Sequence, residues 1–221
     1  MNAAPHEIAI VIPAYQERAT IAGVIEAVRA AMPDAALIIV DDGSTDGTGD
    51  IAQAAGARVL RPGANAGKGA ALRTGMRAAI TEGAQWVLTM DADGQHRAED
   101  LPALAAAARA APRAIIIGSR RADQANAPPA RRRANRVGDF WVSWAAGAFI
   151  ADSQSGFRAY PVAALAALDR YEGRSQRFAF ESAILIDAAR QGFAMRAIDI
   201  PALFAAMQRH SHFRPVADMT R

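Results

Sequence analysis

The chain contains no cysteine, which excludes disulfides, thiolate-bound zinc and cysteine nucleophiles. It also has a single lysine, Lys68, so nearly all of its positive charge is arginine. Net charge is only +3, and the sequence pI near 9.9 overstates the basicity, so the charge balance gives no reason to expect a nucleic-acid partner. Long apolar runs are missing too. The longest uncharged stretch with real bulk, Phe140 to Ala151, falls short of the roughly 20 residues needed to cross a bilayer. No basic segment followed by an apolar run opens the chain, so no signal peptide is expected. A cytoplasmic protein, at most peripheral on the cytoplasmic membrane face, is the resulting expectation. The 221 residues (23.3 kDa) are 52% hydrophobic, enough for one domain with a full core, although much of that fraction is alanine, which favours helix more than burial.

Hydrophobic patterning predicts an α/β fold, a mostly parallel central sheet flanked by helices. Ile8 to Pro13 is a continuous apolar run, as a buried parallel strand requires. Ile21, Ile25, Val28 and Met32 form one helical face, with Thr20 as cap and Pro33 past the end. Further strands are expected at Leu37–Val40, Ala57–Leu60, Trp86–Asp91, Ala114–Gly118 and around Ile198–Pro201. Helices are expected near Thr48–Ala55, Leu72–Ile80, Glu99–Ala111, Pro161–Asp169 and Phe178–Gln191, with another carrying Phe140 to Ile150. Alternating strand and helix at short intervals means right-handed βαβ units. No internal repeat or linker divides the chain, so one domain is expected, with a nucleotide-binding half near 6–118 and an acceptor-binding half near 119–215.

Four polar turns are expected at strand ends: Pro13–Glu17, Asp41–Asp46, Asp91–His96 and Asp152–Arg158. In a parallel sheet such turns share one edge, where open α/β folds bind ligands. Asp91 and Asp93, two residues apart with Gly94 permitting the turn, can converge on one hard cation; Asp-x-Asp-Gly is equally a common surface turn. The stretch Gly63–Leu72 opens a helix with glycines and Lys68. It departs from both the P-loop and G-x-G-x-x-G patterns, and reads either as an anion site built from backbone N–H groups or as a glycine-rich helix start. Between Ser119 and Arg136, six arginines (Arg120, Arg121, Arg131, Arg132, Arg133, Arg136) face one acid, Asp123, around Pro128-Pro129. This reads as a mobile basic loop able to capture a phosphate, or as a solvated charge run. Phe140, Trp141, Trp144, Phe149 and Ile150 beside those arginines fit an interfacial helix meeting lipid head groups, or a core helix. Carboxylates holding a divalent ion next to a lysine and arginines point to transfer from a diphosphate donor, whether nucleotidyl, phosphoryl or glycosyl.

Five segments in order, Val11–Glu17, Val40–Thr48, Asn65–Leu72, Met90–His96 and Asp152–Arg158, resemble the successive signatures of the inverting family-two glycosyltransferases with the GT-A fold. The dolichyl- or polyprenyl-phosphate mannose and glucose synthase branch is the nearest likeness, over about residues 8–215. The resemblance implies a Rossmann-like GT-A domain that moves a hexose from a GDP-mannose or UDP-glucose type donor, in cell-envelope glycan assembly. It implies that Pro13, Tyr15 and Glu17 line the base and ribose pocket and that Asp41, Asp42, Lys68, Asp91 and Ala92 contact the donor. Asp91, Asp93 and Gln95 would hold Mg²⁺ or Mn²⁺ on the diphosphate. Arg120, Arg121, Arg133, Arg158, Arg209 and Ser211 would receive an acceptor phosphate, and Asp93, Arg120, Arg158 and Glu181 would serve catalysis. Gln16 stands where the family often has Asn, and His212 where the tail often has lysine.

The acceptor separates two mechanisms. A sugar hydroxyl needs a general base, for which Glu181 and Asp152 are candidates, whereas a lipid phosphate is already ionised and needs cations, which the arginine segment offers. The lipid phosphate is the preferred reading, although Glu181 on an apolar helix face equally suits a partner for a buried arginine. Rival readings remain. Asp91-Ala92-Asp93-Gly94 imitates the haloacid-dehalogenase nucleophile motif, but Lys68 precedes it instead of following. A sugar-phosphate nucleotidyltransferase would carry a glycine-rich loop where Pro13-Ala14-Tyr15 stands. A non-catalytic nucleotide-sugar-binding scaffold would not need both aspartates and the basic segment.

Overall fold

A computed structural model describes residues 6–119, 129–171 and 179–200. At its centre is a seven-stranded sheet in the order β3-β2-β1-β4-β6-β5-β7. Its strands are β1 (Ile8–Ala14), β2 (Ala36–Asp41), β3 (Arg58–Leu60), β4 (Trp86–Thr89), β5 (Ala114–Ser119), β6 (Arg158–Pro161) and β7 (Ala194–Asp199). Every pairing is parallel except the two made by β6. All seven residues of β1 are buried, as expected of a central strand covered on both faces.

Helices cover both faces. On one side α1 (Ile21–Ala31), α2 (Thr48–Ala54) and α4 (Leu101–Ala110) close over Ile10, Ile12, Ile39 and Leu88. On the other, α3 (Lys68–Thr81), α5 (Pro129–Ala146) and α6 (Ala179–Arg190) close over Val11, Val40, Val87 and Ile117. Odd and even residues of one strand therefore feed opposite core layers, the period-two rule at work on a two-sided sheet.

The structure departs from the sequence expectations in five places. The segment read as a basic loop is helical from Pro129 onward, so Arg132, Arg133 and Arg136 ride on α5. Proline is preorganised for the first helical position, and Ala and Arg propagate a helix well. Next, β6 takes the place where a polar turn was expected to run into a helix: four residues ending in proline carry no periodic signal, and only pairing to both β4 and β5 makes them a strand. The helix expected near Pro161–Asp169 is two 3₁₀ turns, Val162–Leu165 and Leu168–Tyr171. Last, β7 begins at Ala194, ahead of the run expected at Ile198, and β4 ends at Thr89, which leaves Asp91 in the turn beyond the strand.

Because β6 is antiparallel, its start lies at the edge where its parallel neighbours end. The Asp152–Arg158 turn thus joins the turns after β1, β2 and β4 by preceding a strand instead of following one.

Candidate active site

The turns after β1 and β2 are stitched together. The Gln16 amide donates to Ser44 Oγ at 3.0 Å and its side-chain amide to Thr45 Oγ1 at 2.9 Å, while the Glu17 amide donates to Thr48 Oγ1 at 2.8 Å. Gln16 pays for this with a left-handed backbone, φ 57°. Pro13 is buried in β1, Tyr15 is 40% exposed at its end, and the Glu17 carboxylate accepts from Thr20 Oγ1 at 2.8 Å.

Asp41 and Asp42, both buried, face different loops. Asp41 accepts from the Ser44 amide at 3.0 Å, with Arg61 Nε 3.9 Å away. Asp42 accepts from the Ala66 and Gly67 amides at 2.9 and 2.7 Å and so fixes the glycine-rich loop that leads into α3. Gly43, at φ +77°, lies so near that loop that a Cβ would sit 2.8 Å from the Asn65 nitrogen. Between these loops opens a cavity of about 340 Å³ lined by Asp41, Gly43, Ser44, Thr45, Asp50 and Arg61, a size at the small end of ligand sites.

One residue beyond the Asp42-held loop, Lys68 projects between two carboxylates. Its Nζ is 2.7 Å from Asp91 Oδ1 and 3.2 Å from Glu181 Oε2. Burial alone would lower the pKa of this ammonium, but Asp91 and then Glu181 outweigh it and hold the pKa above the ordinary lysine value, so Lys68 is charged at neutral pH. Two residues on, Asp93 Oδ1 accepts from the Gln95 amide at 2.9 Å around Gly94 at φ +73°, with Gln95 exposed and Ala92 buried. The turn is therefore a real Asx turn, and it also presents Asp91 to a cation.

The Asp152–Arg158 turn closes the site from the other side. Thr89 Oγ1 donates to the Gly156 carbonyl at 2.8 Å, Ser155 Oγ to the Gly118 carbonyl at 2.7 Å, and the Ser153 amide to Asp139 Oδ1 at 2.7 Å. Asp139, which sequence reasoning missed, is a buried acid on α5 that anchors this turn. Its signal was that it is the lone acid on an arginine-rich helix.

Arg158, expected to touch the acceptor, has no exposed surface. Its guanidinium donates to Tyr160 Oη at 3.0 Å, the Glu181 carbonyl at 2.9 Å and the Ser153 carbonyl at 2.8 Å. It lies against the Glu181 and Ser153 backbone, where it can position both Glu181 and the turn. Burial pushes the Tyr160 hydroxyl above its ordinary pKa, with Arg158 opposing the shift, so Tyr160 is a neutral partner. Glu181 itself is nearly buried, and Asp152, at φ 53°, is buried too. Arg133 is exposed on α5. The expected phosphate ligands Arg120, Arg121, Arg209 and Ser211 lie outside the described residues.

Among the described residues no group of three or more His, Asp or Glu side chains converges as a ready-made metal site. What exists is a carboxylate, Asp91, that already holds a cation, next to Asp93 and Gln95. That donor set suits an ion whose remaining ligands are diphosphate oxygens, as hard cations at phosphate sites prefer.

The chain matches known proteins both in sequence and in fold. The family described as Glycosyl transferase family 2 matches residues 9–166. The undecaprenyl-phosphate mannosyltransferase of Micrococcus luteus is 32% identical in an alignment 202 residues long that covers 88% of this chain and 82% of that protein. The polyprenol monophosphomannose synthase of Mycolicibacterium smegmatis is 29% identical, over 88% of this chain and 76% of its own. The crystal structure of glucosyl-3-phosphoglycerate synthase from Mycobacterium tuberculosis with Mn²⁺ and UDP-glucose superposes with a TM-score of 0.67 at 25% identity, over 93% of this chain and 72% of that one.

Proposed function

This chain belongs to glycosyl transferase family 2, and from that premise we propose that it transfers a hexose, with inversion, from a nucleoside-diphosphate sugar to a polyprenyl phosphate. The observation that carries the choice of acceptor is the state of the two carboxylates available as bases. Glu181 is engaged by Lys68 and nearly buried, and Asp152 is buried. A sugar hydroxyl would need one of them free to take its proton, whereas a phosphate monoester arrives ionised and needs none. The names of the Micrococcus and Mycolicibacterium relatives point the same way.

In this reading the cavity beside Asp41 and Arg61 takes the nucleoside, and Pro13, Tyr15 and Glu17 are assigned to the base and ribose as well. Asp42 shapes the loop that brings Lys68 to the diphosphate. Asp91, Asp93 and Gln95 would hold Mg²⁺ or Mn²⁺, which supplies charge compensation for the departing diphosphate. An oxygen of the acceptor phosphate attacks the anomeric carbon on the face opposite the diphosphate. The bond from that carbon to the diphosphate oxygen breaks, and its electron pair leaves on the nucleoside diphosphate. Arg158 acts by positioning Glu181 and the Asp152–Arg158 turn. Arg120, Arg121, Arg133, Arg209 and Ser211 are assigned to the acceptor phosphate.

The donor is assigned to the GDP-mannose or UDP-glucose type, by likeness to the mannosyltransferases and to the synthase solved with UDP-glucose. Contact with the bilayer is assigned to α5, on the cytoplasmic face. No helix among the described residues is long and apolar enough to span a membrane, while α5 turns Phe140, Trp141 and Trp144 outward. Incubation of radiolabelled GDP-mannose or UDP-glucose with undecaprenyl phosphate in detergent tests the proposal. One donor should give labelled lipid, dependent on Mg²⁺ or Mn²⁺, and Asp93→Ala should lower the rate on the order of 100-fold, as loss of a charge-stabilising group does. Transfer to a free sugar hydroxyl in preference to the lipid, or donor binding without turnover, would refute it.

A further inference from the structure

Lys68 occupies the position of a cation. Its ammonium bridges Asp91 Oδ1 at 2.7 Å and Glu181 Oε2 at 3.2 Å, on the same carboxylate that the transferase reading gives to the metal ion. The pair is packed, not loosely exposed. A Cβ on Gly156 would stand 3.0 Å from Lys68 Nζ and 2.9 and 3.0 Å from the two Asp91 oxygens, so the backbone of the Asp152–Arg158 turn lies directly against both charges. Thr89 holds that turn down through the Gly156 carbonyl, and Arg158 holds the Glu181 backbone.

Two cations cannot share Asp91 comfortably. A divalent ion binds a carboxylate oxygen at about 2.1 Å, so with the ammonium in place the two positive centres would lie within roughly 5 to 7 Å of each other, inside one partly buried site. A diphosphate changes that balance by offering the ammonium other anionic oxygens near the start of α3, where the loop held by Asp42 ends.

We propose that Lys68 is a resident counter-ion that keeps Asp91 closed to metal until a nucleoside diphosphate draws its ammonium away, so that metal and diphosphate are bound together and metal alone is refused. This rests on the transferase reading for the identity of the ligands, and on the geometry of Lys68, Asp91, Glu181 and Gly156 for the coupling. Its consequence is order: Glu181 keeps Lys68 within reach throughout, and departure of the nucleotide restores the ammonium to Asp91 and expels the ion.

The chain's single lysine makes the test direct, because full-length protein labelled with [¹³C]lysine gives one side-chain Cε signal. Millimolar MgCl₂ alone should leave that signal in place, and GDP or UDP added with MgCl₂ should shift it. In parallel, the EPR signal of free Mn²⁺ measures metal binding without nucleotide. Lys68→Met should bind Mn²⁺ at least about tenfold more tightly than the native chain, and Lys68→Arg, which keeps the charge, should not. Equal Mn²⁺ affinity of the native and Lys68→Met chains, or a Lys68 signal that moves fully with MgCl₂ alone, would overturn the proposal. So would a signal unmoved by either nucleotide with MgCl₂. The labelled native chain decides the matter even if Lys68→Met does not fold. Lipid glycosylation that persists beside any overturning result leaves the transferase reading intact without the counter-ion. A nucleotide-dependent Lys68 shift without transfer does the reverse.

Discussion

A methyl group on Gly156 would press on both Asp91 oxygens and on Lys68 Nζ at about 3 Å, all of them ends of flexible side chains that would have to move. No positive φ is imposed at this position, so the constraint is the neighbours and not the backbone. Gly156→Ala should therefore fold normally while pushing the ion pair aside. Misplacement of this kind costs on the order of 100-fold in kcat/KM, and the melting temperature should move by no more than a few degrees. Loss of the fold itself, seen by circular dichroism, would show that the glycine serves packing first. Arg158 teaches the complementary lesson. As an arginine in a polar turn it reads as a ligand, yet its three described hydrogen bonds all point inward, so truncating it would strand buried carbonyls and damage stability before chemistry.

At the scale of elements, the short helix α2 depends on what precedes it. Asp46 accepts from the Thr48 amide at 3.0 Å, and its other oxygen accepts from the Arg18 amide at 3.0 Å, which ties the start of α2 to the turn after β1. Burial would raise the Asp46 pKa, but the hydrogen bonds from Thr48 and Arg18 outweigh it and hold the carboxyl below its ordinary value. A depressed carboxylate pKa contributes stability that is present above the unfolded value of about 4 and is lost as pH falls through the lower folded value. Asp46→Ala should thus cost about 1 kcal/mol at pH 7, a drop of about 2–4 °C in melting temperature. The gap between variant and native should close in acid, and a gap unchanged across a pH series would contradict this tie between the two turns. Elements also explain where the basic segment went: α5 buries its one acid, Asp139, against Ser153 and leaves Arg133 and Arg136 outside.

For the molecule as a whole, the two faces of α5 have opposite duties. The inner face grips the turn that abuts Asp91, and the outer face exposes Val137, Phe140, Trp141 and Trp144 at 51%, 61%, 58% and 71%, far more than a core helix would. The aromatic rings stack edge to face, at 5.4 Å between Phe140 and Trp141 and 5.8 Å between Trp141 and Trp144, which makes one contiguous patch. Aromatics with arginines on one helix match the chemistry of a lipid head-group boundary. The protein should co-sediment with vesicles containing phosphatidylglycerol and less with neutral ones. Trp141→Ser combined with Trp144→Ser should abolish pelleting while leaving transfer to detergent-solubilised acceptor within about twofold, because a solubilised acceptor does not have to be met at a bilayer surface. Concentration-dependent dimerisation lost in the same variant, with no vesicle binding, would assign the patch to a second copy of the chain.

Local sequence alone determined the parallel strands β1, β2 and β4, the helices between them and the four polar turns, since each follows from an apolar run, a 3.6-residue period or a glycine that interrupts them. It also singled out Asp91 and Lys68 as chemistry. Only the tertiary structure decided that β6 is a strand, because its four residues are ordered by neighbours more than forty residues away in sequence. The same holds for Arg158 lying inside, for Asp139 anchoring the turn, and for Lys68 standing between Asp91 and Glu181. Contacts between residues distant along the chain carry no periodic trace in sequence, and these are the contacts that set how charges meet at the edge of the sheet.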